Sequence, residues 1–228
     1  MELYPAIDIR GGHVARSPHG GDPLAVARAC AAAGARWVHF VDLDRAYGAG
    51  DNRELARHFL AAAPVTVQVG GGLGAEEAVA ELLEWGAARV VVGSRAALDA
   101  ALLDRLLQRH GPARLAVGID GRDGRVAPRG SGEVLDVAPE TLARRARDLG
   151  ARTVVYADVR RDGALTGPDL AGARALAALQ LDVIVSGGIA SLDDLRAARA
   201  AGLAGAIVGR ALHEGRFTVA EAVACLGA

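Results

Sequence analysis

The chain has 228 residues, with 26 arginines and no lysine set against 27 acidic residues, for a formal net charge of −1. With neither a basic tail nor a basic run, that balance excludes a nucleic-acid or anionic-membrane surface, and no obligate protein partner is expected. Half of the residues are apolar but only 4% are aromatic, a composition that favours short helices and buried parallel strands over a β-sandwich.

From the N-terminus, eight apolar runs read as strands: residues 3–9, 36–43, 65–71, 89–94, 114–120, 152–159, 182–188 and 205–211. They are nearly continuous in apolar residues, as strands covered on both faces are. Amphipathic stretches lie between them, among them 22–34, 74–86, 139–150 and 191–202, each ending on the glycine expected just past a helix C-terminus. Eight strand–helix units point to a closed (β/α)8 TIM barrel, one domain spanning 1–228. An open doubly wound sheet is the competing architecture, and it calls for no eightfold regularity. Cys30 and Cys225 lie far apart in Ala-rich helical patterns and read as packed thiols, and the histidines have no metal-ligand spacing, so no metal is expected. The opening "MELYPAID" has no basic stretch followed by a long apolar one, so a cytoplasmic protein without a signal peptide is expected.

The two halves repeat. Gly71 matches Gly187, Gly86 matches Gly202 and Gly93 matches Gly209, each pair 116 positions apart. "AIDIRGGHVA" at 6–15 returns as "GIDGRDGRVA" at 118–127, pairing Asp8 with Asp120 at an offset of 112. The chain therefore reads as two fourfold half-barrels, about 1–112 and 113–228, the first being four residues shorter in the loop after its first strand. Strands one and five of such a barrel stand opposite each other, which sets Asp8 against Asp120 across the C-terminal mouth, where barrel enzymes keep their chemistry. Two carboxylates on one cavity can act as acid and base if their surroundings separate their pKa values. The plainer alternative is that each aspartate only caps its loop.

Glycines follow the third and fourth strands as "GGGLGAEEA" and "GSRAA", and the seventh and eighth as "SGGIAS" and "GRAL". Glycine lets backbone N–H groups approach an anion, and a helix start behind it adds a favourable dipole. Gly71, Gly72, Gly93, Ser94, Gly187, Gly188, Gly209 and Arg210 are thus candidate phosphate contacts, in two cradles on opposite sides of the mouth. A small molecule with a phosphate at each end would fit; turn geometry alone is the other explanation. Gly70, Gly72 and Ala75 also satisfy G-x-G-x-x-A, but the next strand ends without the acidic residue a dinucleotide site needs.

The segments "PAIDIRGGHVAR", "VHFVDLDRAYG", "VTVQVGGGL", "AVGIDGRDGRVA", "VRRDGALTGPD", "VIVSGGI" and "VGRALHEGRFT" resemble the phosphoribosyl isomerase family of histidine biosynthesis (phosphoribosylformimino-5-aminoimidazole carboxamide ribotide isomerase) over nearly the whole chain. The sister cyclase family has Cys-Leu-Asp where this chain has Ala6-Ile7-Asp8, and fits less well. The resemblance implies an Amadori rearrangement of an N-glycosidic aminoaldose to an aminoketose, with no cofactor. It implies Asp8 as general base, Asp120 as general acid, Arg16 as a substrate contact, and the glycine loops as phosphate sites. Asp162, in "RRDGAL", is implied as a substrate-positioning residue, with an ordinary Asp-Gly turn as the alternative.

Three departures from the family pattern stand out. The first loop, "RSPHGGDP", is short; "YTD" after strand six has become "YAD", with Ala157; and "RGW" has become "RGS", with Ser131. A reduced lid admits water and loosens positioning. It leaves open a broadened isomerase acting on phosphoribosyl anthranilate, or a phosphosugar-binding barrel without turnover.

Overall fold

The computed structural model describes residues 1–15 and 21–227. Eight strands, β1 (Glu2–Arg10), β2 (Trp37–Asp42), β3 (Thr66–Leu73), β4 (Arg89–Val92), β5 (Leu115–Arg122), β6 (Thr153–Asp158), β7 (Asp182–Ser186) and β8 (Gly205–Val208), pair in parallel in chain order. β8 returns to β1, with Tyr4 in register with Ile207, and the sheet closes on itself. That closure rules out the open sheet and makes the architecture a (β/α)8 barrel. The outer ring consists of α1 (Pro23–Ala32), α2 (Arg53–Ala62), α3 (Glu76–Glu84), α4 (Ala100–His110), α5 (Pro139–Asp148), α6 (Leu170–Ala177), α7 (Leu192–Ala200) and α8 (Val219–Leu226). Short helical turns Leu43–Ala46, Ser94–Ala97 and Arg210–His213 follow β2, β4 and β8.

The helix boundaries have local causes. Asp22, Asp99 and Asp169 accept backbone N–H groups at the starts of α1, α4 and α6, and α7 and α8 open with capping boxes, Ser191 with Asp194 and Thr218 with Glu221. The predicted terminal glycines Gly34, Gly86, Gly150 and Gly202 all have positive φ. In each case the following amide reaches back five residues, Ala35 to Cys30, Ala87 to Leu82, Ala151 to Ala146 and Leu203 to Ala198, which is the Schellman closure. No described helix is long and apolar enough to cross a membrane.

Alternation along the strands builds two cores. Ile7, Val38, Phe40, Val69, Val90, Val117 and Val154 pack outward against the helices, and Phe40 stacks on Phe59 of α2 with ring centroids 4.8 Å apart. Tyr4, Ala6, Val91, Ala116, Val155, Ile184 and Ile207 fill the barrel itself, so it is a packed interior and not a channel.

The repeat is visible in the backbone. After β1, residues 13–14 fold back on it (Ile9 with Val14), and after β5, residues 125–126 do the same (Gly121 with Val126). The turns are Gly11-Gly12 and Asp123-Gly124, all with positive φ, as two-residue hairpin turns of type I′ require. The Ala15 amide donates to the Asp8 carbonyl at 2.7 Å, and the Ala127 amide donates to the Asp120 carbonyl at 2.7 Å. The next bond of each copy locates the length difference. Val14 N–H closes its loop on Gly21 O, whereas Val126 N–H closes on Val137 O. The first span is seven residues and the second eleven, so the four-residue deficit lies inside the loop after β1, as expected.

Candidate active site

The C-terminal ends of the strands surround a cavity of about 750 Å³, within the range of small-molecule sites. Of the sequence-predicted site residues, Asp8, Gly71, Gly72, Gly93, Ser94, Asp120, Asp162, Gly187, Gly188, Gly209 and Arg210 all line it. Arg16 lies outside the described residues. Among the described residues no cluster of three His, Cys, Asp or Glu side chains is gathered that could hold a metal ion.

Asp8 and Asp120 sit at the same place in the two halves, one near the end of β1 and the other near the end of β5. Around Asp8 the wall is thin: a Cβ added at Gly209 would lie 4.0 Å from its Oδ2 and 3.4 Å from the Ala6 Cβ. Asp120 is firmly held. Ser94 Oγ donates to Asp120 Oδ2 at 2.8 Å and accepts the Asp120 amide at 3.0 Å. Ser94 is therefore a neighbour of the carboxylate, its one proton already engaged, which leaves its backbone rather than its hydroxyl for an anion.

Arg129 completes this side. Its Nη1 donates to Asp162 Oδ2 at 2.6 Å, and its Nη2 reaches Asp120 Oδ1 at 3.5 Å. Burial opposes the charge on the guanidinium, but the Asp162 and Asp120 carboxylates outweigh it and raise its pKa further. Asp162 thus lines the cavity while ion-paired to Arg129. Arg210, across the mouth, donates from Nη1 to the Gly163 carbonyl and from Nε to Glu214, tying the β8 end to the β6 loop.

The glycines divide into two kinds. Gly71 and Gly188 have φ of +109° and +82°, and an added Cβ would lie 2.4 Å from the Asp42 carbonyl and 2.2 Å from the Gly167 carbonyl respectively. These two are required by packing whatever binds there. Gly93, with φ −66° and ψ 155°, has an ordinary strand conformation, and a Cβ would meet the Leu73 carbonyl at a normal 3.6 Å. Its lack of a side chain keeps the cavity open.

His39, Arg129 and Tyr47 also line the cavity, although nothing in the segments that contain them marks these side chains for the site. His39 is buried, and desolvation, followed by the nearby Arg129 charge, lowers its pKa to about 3, so its ring is neutral at physiological pH. Its signal was parity alone: it lies two residues from Trp37, on the inward face of β2. Tyr47, half exposed, is covered by the Arg10 guanidinium at 5.7 Å. Cys30 behaves as expected of a packed thiol, its pKa raised to about 11 by burial.

The sequence pattern of the family described as histidine biosynthesis protein matches residues 2–218. The chain belongs to that family. Its relatives include proteins named 1-(5-phosphoribosyl)-5-((5-phosphoribosylamino)methylideneamino) imidazole-4-carboxamide isomerase. That of Symbiobacterium thermophilum is 44% identical, covering 100% of this chain and 97% of the relative. That of Thermus thermophilus is 43% identical over 97% and 98% of the two chains, and that of Rhodospirillum rubrum 45% identical over 99% of each. Within this histidine biosynthesis family member, the departures noted in the sequence take concrete form. Ala157 is in register with Asp120 on β6, and the hydroxyl missing there has a counterpart on the other flank in Ser94. Ser131 donates to the Pro128 carbonyl and accepts the Glu133 amide, so it shapes a turn instead of covering the cavity.

Proposed function

We propose that the protein is the isomerase that opens the ribose ring of a bisphosphorylated N-glycosidic aminoaldose and converts it to the aminoketose in histidine biosynthesis, the chain 1–228 acting as one catalytic domain. The observation that carries this reading is the placement of Asp8 and Asp120 at equivalent strand ends around one cavity, in a chain whose relatives bear the isomerase name.

The chemistry divides between the two carboxyl groups. Asp120 protonates the ring oxygen as the C1–O bond breaks, and the glycosidic nitrogen supplies the electron pair that forms C1=N. Asp8 then removes the C2 proton; those electrons form C1=C2 and return the nitrogen to an amine. Ketonisation moves the hydroxyl proton from O2 and places a proton on C1, so that atoms balance and no oxidant is needed. Ser94 and Arg129 flank Asp120 and fix its direction. Gly71, Gly72 and Gly93 with the Ser94 amide cradle one phosphate. Gly187, Gly188, Gly209 and Arg210 cradle the other, and Asp162 and Arg16 hold the substrate between them. We place the reaction in the cytoplasm, a reading supported by the free thiols Cys30 and Cys225.

The test is turnover of the purified protein with the bisphosphorylated ribotide, run beside phosphoribosyl anthranilate. Turnover of the ribotide alone is expected. Asp8→Asn should lower it by about 10²- to 10⁴-fold while the ligand still binds. Turnover of the anthranilate alone, or substantial activity of Asp8→Asn, refutes the assignment.

A further inference from the structure

Beneath the cavity a line of polar groups crosses the otherwise apolar barrel interior. Gln68, fully buried on β3, is in register with His39 on β2 and with Arg89 on β4. Arg89 Nη1 lies 3.3 Å from Gln68 Oε1 and 3.3 Å from the Tyr4 hydroxyl, and its guanidinium covers the Trp37 ring at 5.1 Å. Gln68 Nε2 in turn lies 3.2 Å from His39 Nδ1.

A guanidinium has donors and no acceptor. The amide oxygen of Gln68 must therefore face Arg89, and its NH2 must face His39. Because Nδ1 then meets a donor, it must be the bare nitrogen, and the proton of a neutral ring is left on Nε2. Glycine at position 70 leaves the edge of the ring uncovered beside the cavity: a Cβ there would lie 3.0 Å from His39 Cε1 and 3.3 Å from Nε2. We propose that Arg89 and Gln68 are positioning residues that lock His39 in the Nε2–H tautomer, so that the imidazole presents a neutral N–H donor to an oxygen of the bound sugar. This role rests on the isomerase reading above; the tautomer itself does not. Ketonisation builds negative charge on O2 as its hydroxyl proton leaves, and a preorganised donor in a water-poor site is worth most at that moment. The ring is kept neutral by its burial and by the Arg129 charge, so it offers its N–H without competing with Asp8 or Asp120 for protons.

The test begins with ¹⁵N-histidine NMR of the ligand-free wild-type protein, with the His39 signals assigned by their loss in His39→Gln. Protonation at Nε2 with a bare Nδ1 is expected. Gln68→Glu keeps an acceptor toward Arg89 but turns the group facing His39 into an acceptor, so the proton should move to Nδ1 or the ring should gain a second proton. With the ribotide, kcat should fall by about 10- to 100-fold and KM should change by less than about threefold. Should that variant not fold, Arg89→Met frees the Gln68 amide to rotate and should yield two His39 tautomers. A wild-type ring protonated at Nδ1 overturns the proposal. A reversed tautomer in Gln68→Glu with kcat unchanged overturns the substrate-facing role. A locked Nε2–H ring in a protein that turns over no ribotide upholds the lock and counts against the isomerase reading instead.

Discussion

Asp120 is held by neighbours on both of its oxygens, and at the scale of single residues this is what chemistry can use. Both Asp120 oxygens have protein partners, Ser94 and Arg129. Charge-assisted hydrogen bonds of this kind are worth about 1.5–3 kcal/mol. Ser94→Ala should therefore lower kcat by roughly tenfold or more, and Ser94→Thr should recover part of it in the same assay. His39 supplies a second residue-scale test. Its folded pKa of about 3 lies below the unfolded value of about 6.5, so between those values the unfolded chain binds a proton that the native chain refuses. Native stability is then lost as pH falls from about 6.5 toward 3, at up to about 1.4 kcal/mol per pH unit. His39→Asn should flatten that part of the stability profile in urea titrations between pH 7 and 4; parallel profiles would mean that the native imidazole does take up the proton.

Among the elements, the connections after β1 and β2 are joined by one small side chain. Asn52, at the start of α2, donates its amide N–H to Asp42 Oδ2 and its Nδ2 to Asp42 Oδ1 and Asp44 Oδ2, and its Oδ1 accepts the Gly12 amide at 2.9 Å. Asp44 also accepts the Gly11 amide. The hairpin that follows Asp8 is thus pinned to the β2 loop. Asn52→Ala strands several of these groups and should cost about 2–3 kcal/mol in urea unfolding, with a larger relative loss of turnover if Asp8 loses its bearing. This pin was not legible in the sequence, because "GAGDN" looks like ordinary turn residues and the partners come from segments forty positions apart. The helix ends were legible, since caps and terminal glycines act through neighbours within five residues. The hairpin turns were written just as locally, in Gly-Gly and Asp-Gly. His39, Gln68 and Arg129 were hidden for the opposite reason: their meaning depends on what strands distant in sequence place beside them.

Over the whole molecule, the eightfold rhythm and the internal repeat carried the architecture. Strand continuity marks the parallel sheet, the offset of 116 marks the halves, and the shift to 112 marks the shortened loop. What the repeat did not reveal is where the copies diverge. Ser94 corresponds to Arg210, His39 to Val155 and Gln68 to Ile184; the inward ring is polar on one side of the barrel and aliphatic on the other.

That divergence bears on a problem every near-symmetric container faces. On the function proposed above, a guest with a phosphate at each end would meet two similar cradles and could be seated forwards or backwards. The backbone, almost the same on both sides, reads the two seatings alike. Orientation is therefore encoded in the few side chains that break the copy, and in the unequal seven- and eleven-residue closures. On that reading, directionality in this barrel would be a property of its mismatches, and substitutions that make the halves more alike should blur a one-way socket toward a reversible one.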